Sequence, residues 1–167
     1  MKKLVIVLIL MGLTSEVFAQ QKTEVLDEIK LVGINYKYLN ALGDEDVAIP
    51  VKKLEQKVAT FDLKSLDVYV DDERGYNVYF KIPEGKIFAE YNNEGEIIRT
   101  AEKFKDIRLP LVVSNAIVEK YPGWKITGDI YLVSYRENAE IKKTYKLFIE
   151  KEGKFTRVKT DENGNFL

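Results

Sequence analysis

The chain has 167 residues, and its 26 lysine and arginine residues nearly balance its 27 aspartate and glutamate residues, for a formal net charge of −1 at pH 7. It therefore lacks the basic excess typical of nucleic-acid-binding proteins, and no nucleic-acid partner is expected. Cysteine and histidine are both absent, which excludes thiol redox catalysis, histidine-dependent triads and the usual zinc sites.

Residues 1–19 have the three parts of a secretory signal peptide. Two lysines precede an apolar run over residues 4–13, and Val17 and Ala19 stand at positions minus three and minus one of a cleavage site. We expect cleavage after Ala19 and a periplasmic location for the mature protein. The apolar run covers about ten residues, whereas a membrane-spanning helix needs roughly 20, so no stable membrane insertion is expected after cleavage.

The next segment, residues 20–49, is predicted to contain an N-terminal strand over residues 25–36 and a connection. A first helix is predicted over residues 50–61, because apolar side chains recur there at steps of three and four and form one face. These side chains are Val51, Leu54, Val58 and Phe61. Pro50 suits the first turn of a helix, where a missing N–H costs nothing.

After this helix, apolar and polar residues alternate in short segments separated by turns rich in Gly, Asn and Glu, which predicts a meander of strands. The predicted strands cover residues 66–70, 76–82, 86–91 and 96–104.

The second half of the chain has the same order of elements. A helix is predicted over residues 110–121, since apolar side chains again recur at helical spacing and Pro122-Gly123 ends the pattern. Its apolar face consists of Val113, Ala116, Ile117 and Tyr121. The strands that follow are predicted over residues 124–136, 141–151 and 154–160.

The two halves can also be aligned residue by residue. Residues 85–88 match residues 153–156, and the turn at residues 92–95 matches the turn at residues 161–164. One interpretation is a repeat; the alternative is that hairpin turns rich in Asn, Asp and Gly resemble one another. The shared order of elements favours the repeat. The sequence thus predicts an α+β fold of two helix-plus-antiparallel-sheet repeats, residues 50–105 and 106–167.

Alternation also divides strand residues between two faces of the predicted sheet. Trp124, Ile126, Ile130 and Leu132 are assigned to the core face, as are Ile141, Tyr145, Leu147 and Ile149. An antiparallel sheet with helices on one face leaves its other face free for a partner. Five aromatic residues are assigned there as candidate binding residues: Tyr79, Phe88, Tyr131, Tyr135 and Phe148. The alternative is that they form ordinary cross-strand pairs that stabilise the sheet.

No cluster of residues predicts catalysis, a cofactor or a metal. The acidic residues 71–73 precede Arg74-Gly75, which is typical of a solvated turn. Residues 161–164 lack the alternating ligands and closing glutamate of a calcium loop. The sequence contains neither a glycine-rich phosphate loop nor a Gly-x-Ser-x-Gly elbow. No catalytic, cofactor-binding or metal-binding residue is therefore assigned.

Several boundary motifs resemble those of a known family. Arg108-Leu109-Pro110 before the second helix, residues 121–124 after it and the Asn- and Gly-rich turns resemble the PepSY-like, β-lactamase-inhibitor-like family of exported bacterial proteins. The resemblance covers the chain from about residue 51 to residue 167. It implies paired helix-plus-sheet units in the periplasm of a Gram-negative cell, and the better-known relatives bind proteins as inhibitors of hydrolases or as inhibitory pro-region modules. No contact residue of those relatives carries over.

We therefore expect a non-enzymatic periplasmic protein that recognises a protein, peptide or other envelope ligand through a sheet face. One alternative is an exported enzyme that uses carboxylate or tyrosine chemistry. Another is a self-assembling structural protein of the envelope. A nicotinate-nucleotide adenylyltransferase is not expected, because that class carries a His-x-Gly-His motif in a parallel α/β domain and this chain has no histidine.

Overall fold

The computed structural model of the protein describes residues 35–43, 46–67 and 75–167. The predicted signal peptide and its cleavage site lie outside these residues. So do nearly all of the predicted strand over residues 25–36, most of the predicted strand over residues 66–70, and the acidic residues 71–73.

The described residues form three α-helices and six β-strands, which confirms the α+β class. The helices are α1 (Tyr36–Leu42), α2 (Ile49–Ala59) and α3 (Leu111–Lys120), and a short 3-10 turn covers Leu63–Ser65. The strands are β1 (Tyr76–Ile82), β2 (Gly85–Tyr91), β3 (Ile97–Lys105), β4 (Lys125–Arg136), β5 (Lys142–Lys151) and β6 (Lys154–Thr160). These bounds agree with the predicted ones to within one or two residues, except that α1 was not predicted.

All six strands belong to one antiparallel sheet and lie in chain order. Each strand therefore pairs with its neighbours in sequence, as expected for short hairpin connections. The pairing of β3 with β4 joins the two halves of the chain, with Thr100 opposite Tyr135 and Phe104 opposite Tyr131. The sheet is thus continuous across the segment that contains α3.

Helices α2 and α3 form because each has one apolar face and a proline at its start. In α2, Pro50 occupies the first turn, and Val51, Leu54 and Val58 are buried. In α3, Pro110 is the capping residue, and Val113 and Ile117 are buried. No helix within residues 35–43, 46–67 and 75–167 has the length and apolar character needed to span a bilayer.

Helix α1 buries Tyr38 and Leu42, which are four residues apart, and is also held by contacts with residues remote in sequence. Tyr38 is fully buried, and its hydroxyl donates a hydrogen bond of 2.8 Å to Oε1 of Glu102 on β3. The amine of Lys143 on β5 donates to the carbonyl of Leu42 at 2.7 Å and thereby satisfies the helix end. At the other end, Oδ1 of Asn35 accepts from the backbone N–H of Ile97 at 2.7 Å. These long-range contacts explain why local sequence did not reveal the helix.

The hydrophobic core lies between the helices and one face of the sheet. The buried helix side chains contact inward-facing residues of β2 to β6, which include Ile87, Tyr91, Phe104, Tyr145 and Leu147. The Tyr91 hydroxyl reaches α2, where it donates to the carbonyl of Val58 at 2.8 Å. Each fully buried aliphatic side chain contributes roughly 1.5 to 3 kcal/mol relative to an exposed one. The assignment of β5 residues to the core face is confirmed.

The predicted faces of β4 are wrong over most of that strand. A β-bulge shifts the pairing of β4 with β5 between Ile126 and Gly128. An extra residue in a strand inverts which side chains face inward beyond it. Ile126 still packs against the core, but beyond the bulge Asp129, Tyr131, Val133 and Tyr135 are buried. Ile130 and Leu132, predicted to face the core, instead lie on the opposite face and are half-buried.

Trp124 was predicted to be a buried core anchor, and it is only half-buried. It directly precedes β4, and its ring meets that of Tyr121 edge-on, with centroids 6.2 Å apart. Both rings pack against the margin of the core. Tyr121 also contacts Phe166 at a centroid distance of 5.9 Å.

Two turns share one pattern of hydrogen bonds. After β2, Oδ1 of Asn92 accepts the backbone N–H of Glu96 at 2.8 Å. After β6, Oδ1 of Asp161 accepts the backbone N–H of Asn165 at the same distance. Both turns contain a glycine at positive φ, 85° at Gly95 and 81° at Gly164. Most L-residues avoid this conformation. The turns that align in sequence therefore have the same local structure.

Candidate binding face

The sheet surface opposite the helices is the candidate site, and we call it the open face. It is made by the strand residues that alternate with the buried ones. Its aromatic members are Tyr79, Phe88, Phe148 and Phe155. Its charged members are the cations Lys81, Lys86, Arg99, Lys103, Lys105, Lys125, Arg136, Lys142, Lys146, Arg157 and Lys159 and the acids Glu90 and Glu150. No described element covers these residues.

The structure places three of the five predicted binding residues on the open face. Tyr79 is 72% exposed and lies directly opposite Phe88, with ring centroids 5.0 Å apart. Phe148 lies further along the sheet on β5, opposite Gly128. Tyr79 and Phe88 thus form one aromatic pair, while Phe148 belongs to a different part of the same surface.

The other two predicted binding residues are in the core, so their assignment to the free face is wrong. Tyr131 is 1% exposed and stacks on Tyr145, with centroids 4.5 Å apart. Tyr135 is 4% exposed and meets Tyr38 of α1 edge-on at 5.3 Å. Both follow the bulge between Ile126 and Gly128, which inverts the faces of β4. Neither ring is accessible to a partner.

Two arginines lie over aromatic rings of the open face. The guanidinium of Arg99 is 5.6 Å from the centre of the Phe88 ring, and that of Arg157 is 5.9 Å from the centre of the Phe148 ring. These distances fall within the range of cation–π attraction, which contributes about 0.5 to 1 kcal/mol at exposed sites. Arg99 also forms an ion pair of 2.8 Å with Glu90. Both arginines are thereby held in place on the sheet.

The sequence pattern did not identify Phe155 or the cations as members of the open face. Phe155 on β6 is 75% exposed, and it lies opposite Glu150 on the same face. Alternation within β6 marks it as outward-facing once Val158 and Thr160 are known to be buried. The eleven cations face only two acids, although the whole chain has slightly more acids than bases.

Several cations lie directly opposite one another. Lys86 on β2 lies between Lys81 on β1 and Lys103 on β3. Two further like-charged pairs are Arg99 with Arg136 and Lys146 with Lys159. Like charges at directly opposed positions destabilise a sheet, by an amount comparable to the 0.2 to 1 kcal/mol that favourable pairs contribute. The middle of the open face consequently has an excess of positive charge, which the ion pair of Arg99 with Glu90 offsets only in part.

A shallow depression lies across the middle of the open face. Its volume is about 430 Å³, and Tyr79, Lys86, Phe88, Leu132 and Lys142 are among its lining residues. The aromatic pair and the half-buried Leu132 give it an apolar floor, and the lysines stand around that floor. An apolar centre with a charged margin is the usual arrangement of a recognition surface.

A second group of chemically notable residues is buried beneath α1. Glu102 is 3% exposed, and its Oε1 accepts hydrogen bonds of 2.8 Å from the hydroxyls of Tyr38 and Thr100. Its Oε2 has no hydrogen-bond partner among the described residues. Burial raises the pKa of Glu102 to about 7, and this effect outweighs the two hydrogen bonds and the positive charge of Lys143, which lower it.

This buried group cannot contact a substrate in the structure, because Tyr38, Glu102 and Lys143 all lie in the interior. The same burial raises the pKa of the Tyr38 phenol well above its usual range. The group therefore ties α1 to the sheet. Within the described part of the chain, no set of three or more acidic side chains is placed to hold a metal ion.

Comparison with known proteins adds no relative: no protein-family model matches the sequence, and no curated protein is significantly similar to it.

Proposed function

We propose that this protein is a non-enzymatic binding protein that recognises a protein or peptide through the open face. The observation that carries the proposal is a sheet surface that no element of the described residues covers, on which an aromatic pair and half-buried apolar residues are surrounded by cations. Tyr79 supplies rigid contact area with a polar hydroxyl, and such residues are enriched in protein interfaces. We therefore assign the binding role to Tyr79, Phe88 and Phe148, and no longer to Tyr131 and Tyr135.

The proposal includes export to the periplasm after cleavage at Ala19, which rests on the charge and apolar pattern of residues 1–19. It also includes a two-repeat architecture related to the PepSY-like, β-lactamase-inhibitor-like family. The shared order of helix and antiparallel strands supports the repeat, as do the matching hydrogen bonds of Asn92 and Asp161. A binding function is common to the better-known members of that family.

An enzyme that uses carboxylate or tyrosine chemistry is the less favoured candidate. The pair formed by Glu102 and Tyr38 has the perturbed pKa values that such chemistry requires. A catalytic group must also come within hydrogen-bond reach of its substrate. Both side chains lie in the core and contribute to packing, so we favour a structural role for them.

The test is capture of a partner by the tagged mature chain, residues 20–167, from envelope extract, followed by quantification of binding. Tyr79→Ala combined with Phe88→Ala should weaken capture by about 1 kcal/mol or more per residue, the usual threshold for interface residues that matter. Tyr36→Ala is the matched control, because Tyr36 is also an exposed tyrosine but lies on α1. Equal capture by the double variant and by Tyr36→Ala would contradict the proposed face.

A further inference from the structure

The open face keeps cations in positions that weaken the fold. Lys86 is opposed on both sides, by Lys81 and Lys103, although neighbouring strands are only about 4.8 Å apart. A neutral polar residue at any of these positions would remove the repulsion. Arg99 likewise lies opposite Arg136, although its guanidinium is also paired with Glu90. Such charges stabilise a complex only when an anion lies over them, so the pattern points to a ligand of opposite charge.

We infer that the open face binds an acidic polypeptide segment, extended across the strands with its carboxylates over the lysine rows. The inference rests on the proposed binding function and specifies its partner. Residues that face the same way along an extended chain are about 6.6 to 6.8 Å apart, whereas neighbouring strands are about 4.8 Å apart. A segment that crosses the sheet with acids at alternate positions therefore places about two carboxylates over every three strands. Leu132 and the aromatic pair provide apolar contacts between the charges.

The shape of the sheet favours a flexible ligand over a membrane or a nucleic-acid duplex. Adjacent strands of a sheet are rotated by roughly 20 to 25°, so the face turns through about 100° or more over six strands. A planar bilayer or a rigid duplex can approach only part of such a surface. A flexible polypeptide can follow the twist and reach Lys103 on β3 as well as Lys146 on β5.

The rings of the open face favour a polypeptide over single-stranded nucleic acid. Binding of single strands depends on aromatic rings with a free face on which bases stack. Arg99 lies over the Phe88 ring and Arg157 over the Phe148 ring. Tyr79 and Phe155 are exposed, but they lie on β1 and β6, at opposite edges of the sheet, and cannot receive successive bases. Arginine side chains would have to leave the Phe88 and Phe148 rings before a base could stack there. Carboxylates need no such rearrangement.

A second copy of the chain is also a poor occupant of this surface. Face-to-face contact of two open faces would bring eleven cations of one molecule against eleven of the other, with only Glu90 and Glu150 in each to offset them. Self-assembly through the open face is therefore disfavoured by charge.

The experiment measures fluorescence anisotropy of a labelled 12-residue peptide of alternating glutamate and serine, titrated at 0.15 M salt with the mature chain, residues 20–167, so that residues 1–19 cannot bind the probes. A peptide of this length is roughly 40 Å when extended, which exceeds the width of six strands. The comparison probes are the same peptide with glutamine in place of glutamate, a 12-nucleotide oligothymidine, and phosphatidylcholine vesicles with 30% phosphatidylglycerol. We expect saturable binding of the glutamate peptide, and weaker or no binding of the three other probes.

The variant pair for this experiment keeps net charge equal. Lys86→Gln with Lys103→Gln should raise the Kd of the glutamate peptide about tenfold, the loss expected from two partly exposed charge contacts. Lys53→Gln with Lys64→Gln removes two exposed lysines outside the sheet and should change the Kd less than about twofold. The open-face variant should also be at least as stable as the wild type, so weaker binding cannot be attributed to unfolding.

Each remaining outcome overturns the inference. Equal effects of the two variant pairs would mean that net charge, and not the open face, determines binding. Tighter binding of oligothymidine or vesicles would assign the face to a different anionic ligand. Absence of saturable binding by the glutamate peptide would reject an acidic partner. If Tyr79→Ala with Phe88→Ala still reduces capture of an envelope protein in that last case, the proposed function stands and only the partner's chemistry is wrong.

Discussion

The two faces of this sheet are built from the same six strands and differ in almost every property. The inner face is aromatic and aliphatic, with its few ionisable groups, such as Glu102 and Lys143, buried beneath α1. The open face has eleven cations and four aromatic residues, and several of its cations repel one another. Most of the inner face is apolar and closely packed, with the buried acids Glu102 and Asp129 as exceptions. The open face holds like charges at opposed positions, which weakens the fold and is expected of a surface selected for recognition.

The largest expected difference between the faces is in the cost of truncating a tyrosine. Tyr131→Ala removes a buried ring that stacks on Tyr145, and it should lower the free energy of unfolding by about 3 to 5 kcal/mol. Tyr79→Ala removes an exposed ring and should cost about 1 kcal/mol or less. Urea denaturation of the two variants measures both values. Similar midpoints would mean that the two faces do not differ in packing as described.

The next effect is a dependence of stability on pH that originates from Glu102. Its pKa is about 7 in the folded protein against an ordinary value of 4.5, so between these pH values the folded state binds a proton that the unfolded state has released. The contribution of Glu102 to the free energy of unfolding is therefore highest below pH 4.5. It falls as the pH rises from 4.5 to 7 and is constant above pH 7. The fall should be on the order of 3 kcal/mol.

Denaturation curves at pH 5 and pH 7.5 test this expectation, and Glu102→Gln is the control because glutamine does not titrate. In Glu102→Gln, the difference in the free energy of unfolding between pH 5 and pH 7.5 should be much smaller than in the wild type. A smaller change in the same direction should remain, because burial also raises the pKa of Asp129 to about 6. A wild type that is more stable at pH 7.5 than at pH 5 would contradict a buried Glu102.

A smaller effect concerns the attachment of α1. Tyr38→Phe removes the hydroxyl that donates to Glu102 and leaves that carboxylate with only the Thr100 hydroxyl, so we expect a loss of about 1 to 3 kcal/mol. Hydrogen exchange of the α1 amides should increase with it. Tyr36→Phe on the same helix is the control, since Tyr36 is exposed and should leave both measurements unchanged. If the two variants behave alike, the buried hydrogen bond does not hold the helix.

The smallest expected effect on stability comes from the open face, where a substitution should stabilise the fold and not destabilise it. Lys86→Gln relieves repulsion from Lys81 and Lys103 and should raise the free energy of unfolding by about 0.2 to 1 kcal/mol. Lys53→Gln on α2 should change the free energy of unfolding by less than Lys86→Gln does. The gain should shrink as salt is added, because screening already weakens the repulsion. A loss of stability in Lys86→Gln would show that the lysine contributes to the fold.

The strands and the two capped helices could be predicted because their patterns are local. Alternation defines β5 and β6, and Pro50 and Pro110 mark where α2 and α3 begin. Helix α1 could not be predicted, since its seven residues are held by contacts with Glu102 and Lys143, which are remote in sequence.

The site was only partly predictable for a related reason. The inward-facing residues of β4 were predicted by alternation from Trp124, but the bulge between Ile126 and Gly128 reverses the alternation. Tyr131 and Tyr135 therefore face the core, and Ile130 and Leu132 face outward. The cations were not visible as a group because they are spread over six strands in a chain of nearly balanced charge. Only the register brings Lys86 next to Lys81 and Lys103.

Lysine footprinting tests the central claim most directly, because both sides of the molecule carry exposed lysines. The mature chain, residues 20–167, is acetylated briefly with and without the partner captured from envelope extract, and modification of each lysine is quantified by mass spectrometry. Recognition through the open face predicts protection of Lys86, Lys103 and Lys142 and no protection of Lys53 and Lys57 on α2. Protection of the helix lysines with the sheet lysines fully modified would contradict the account and place the partner on the helical side.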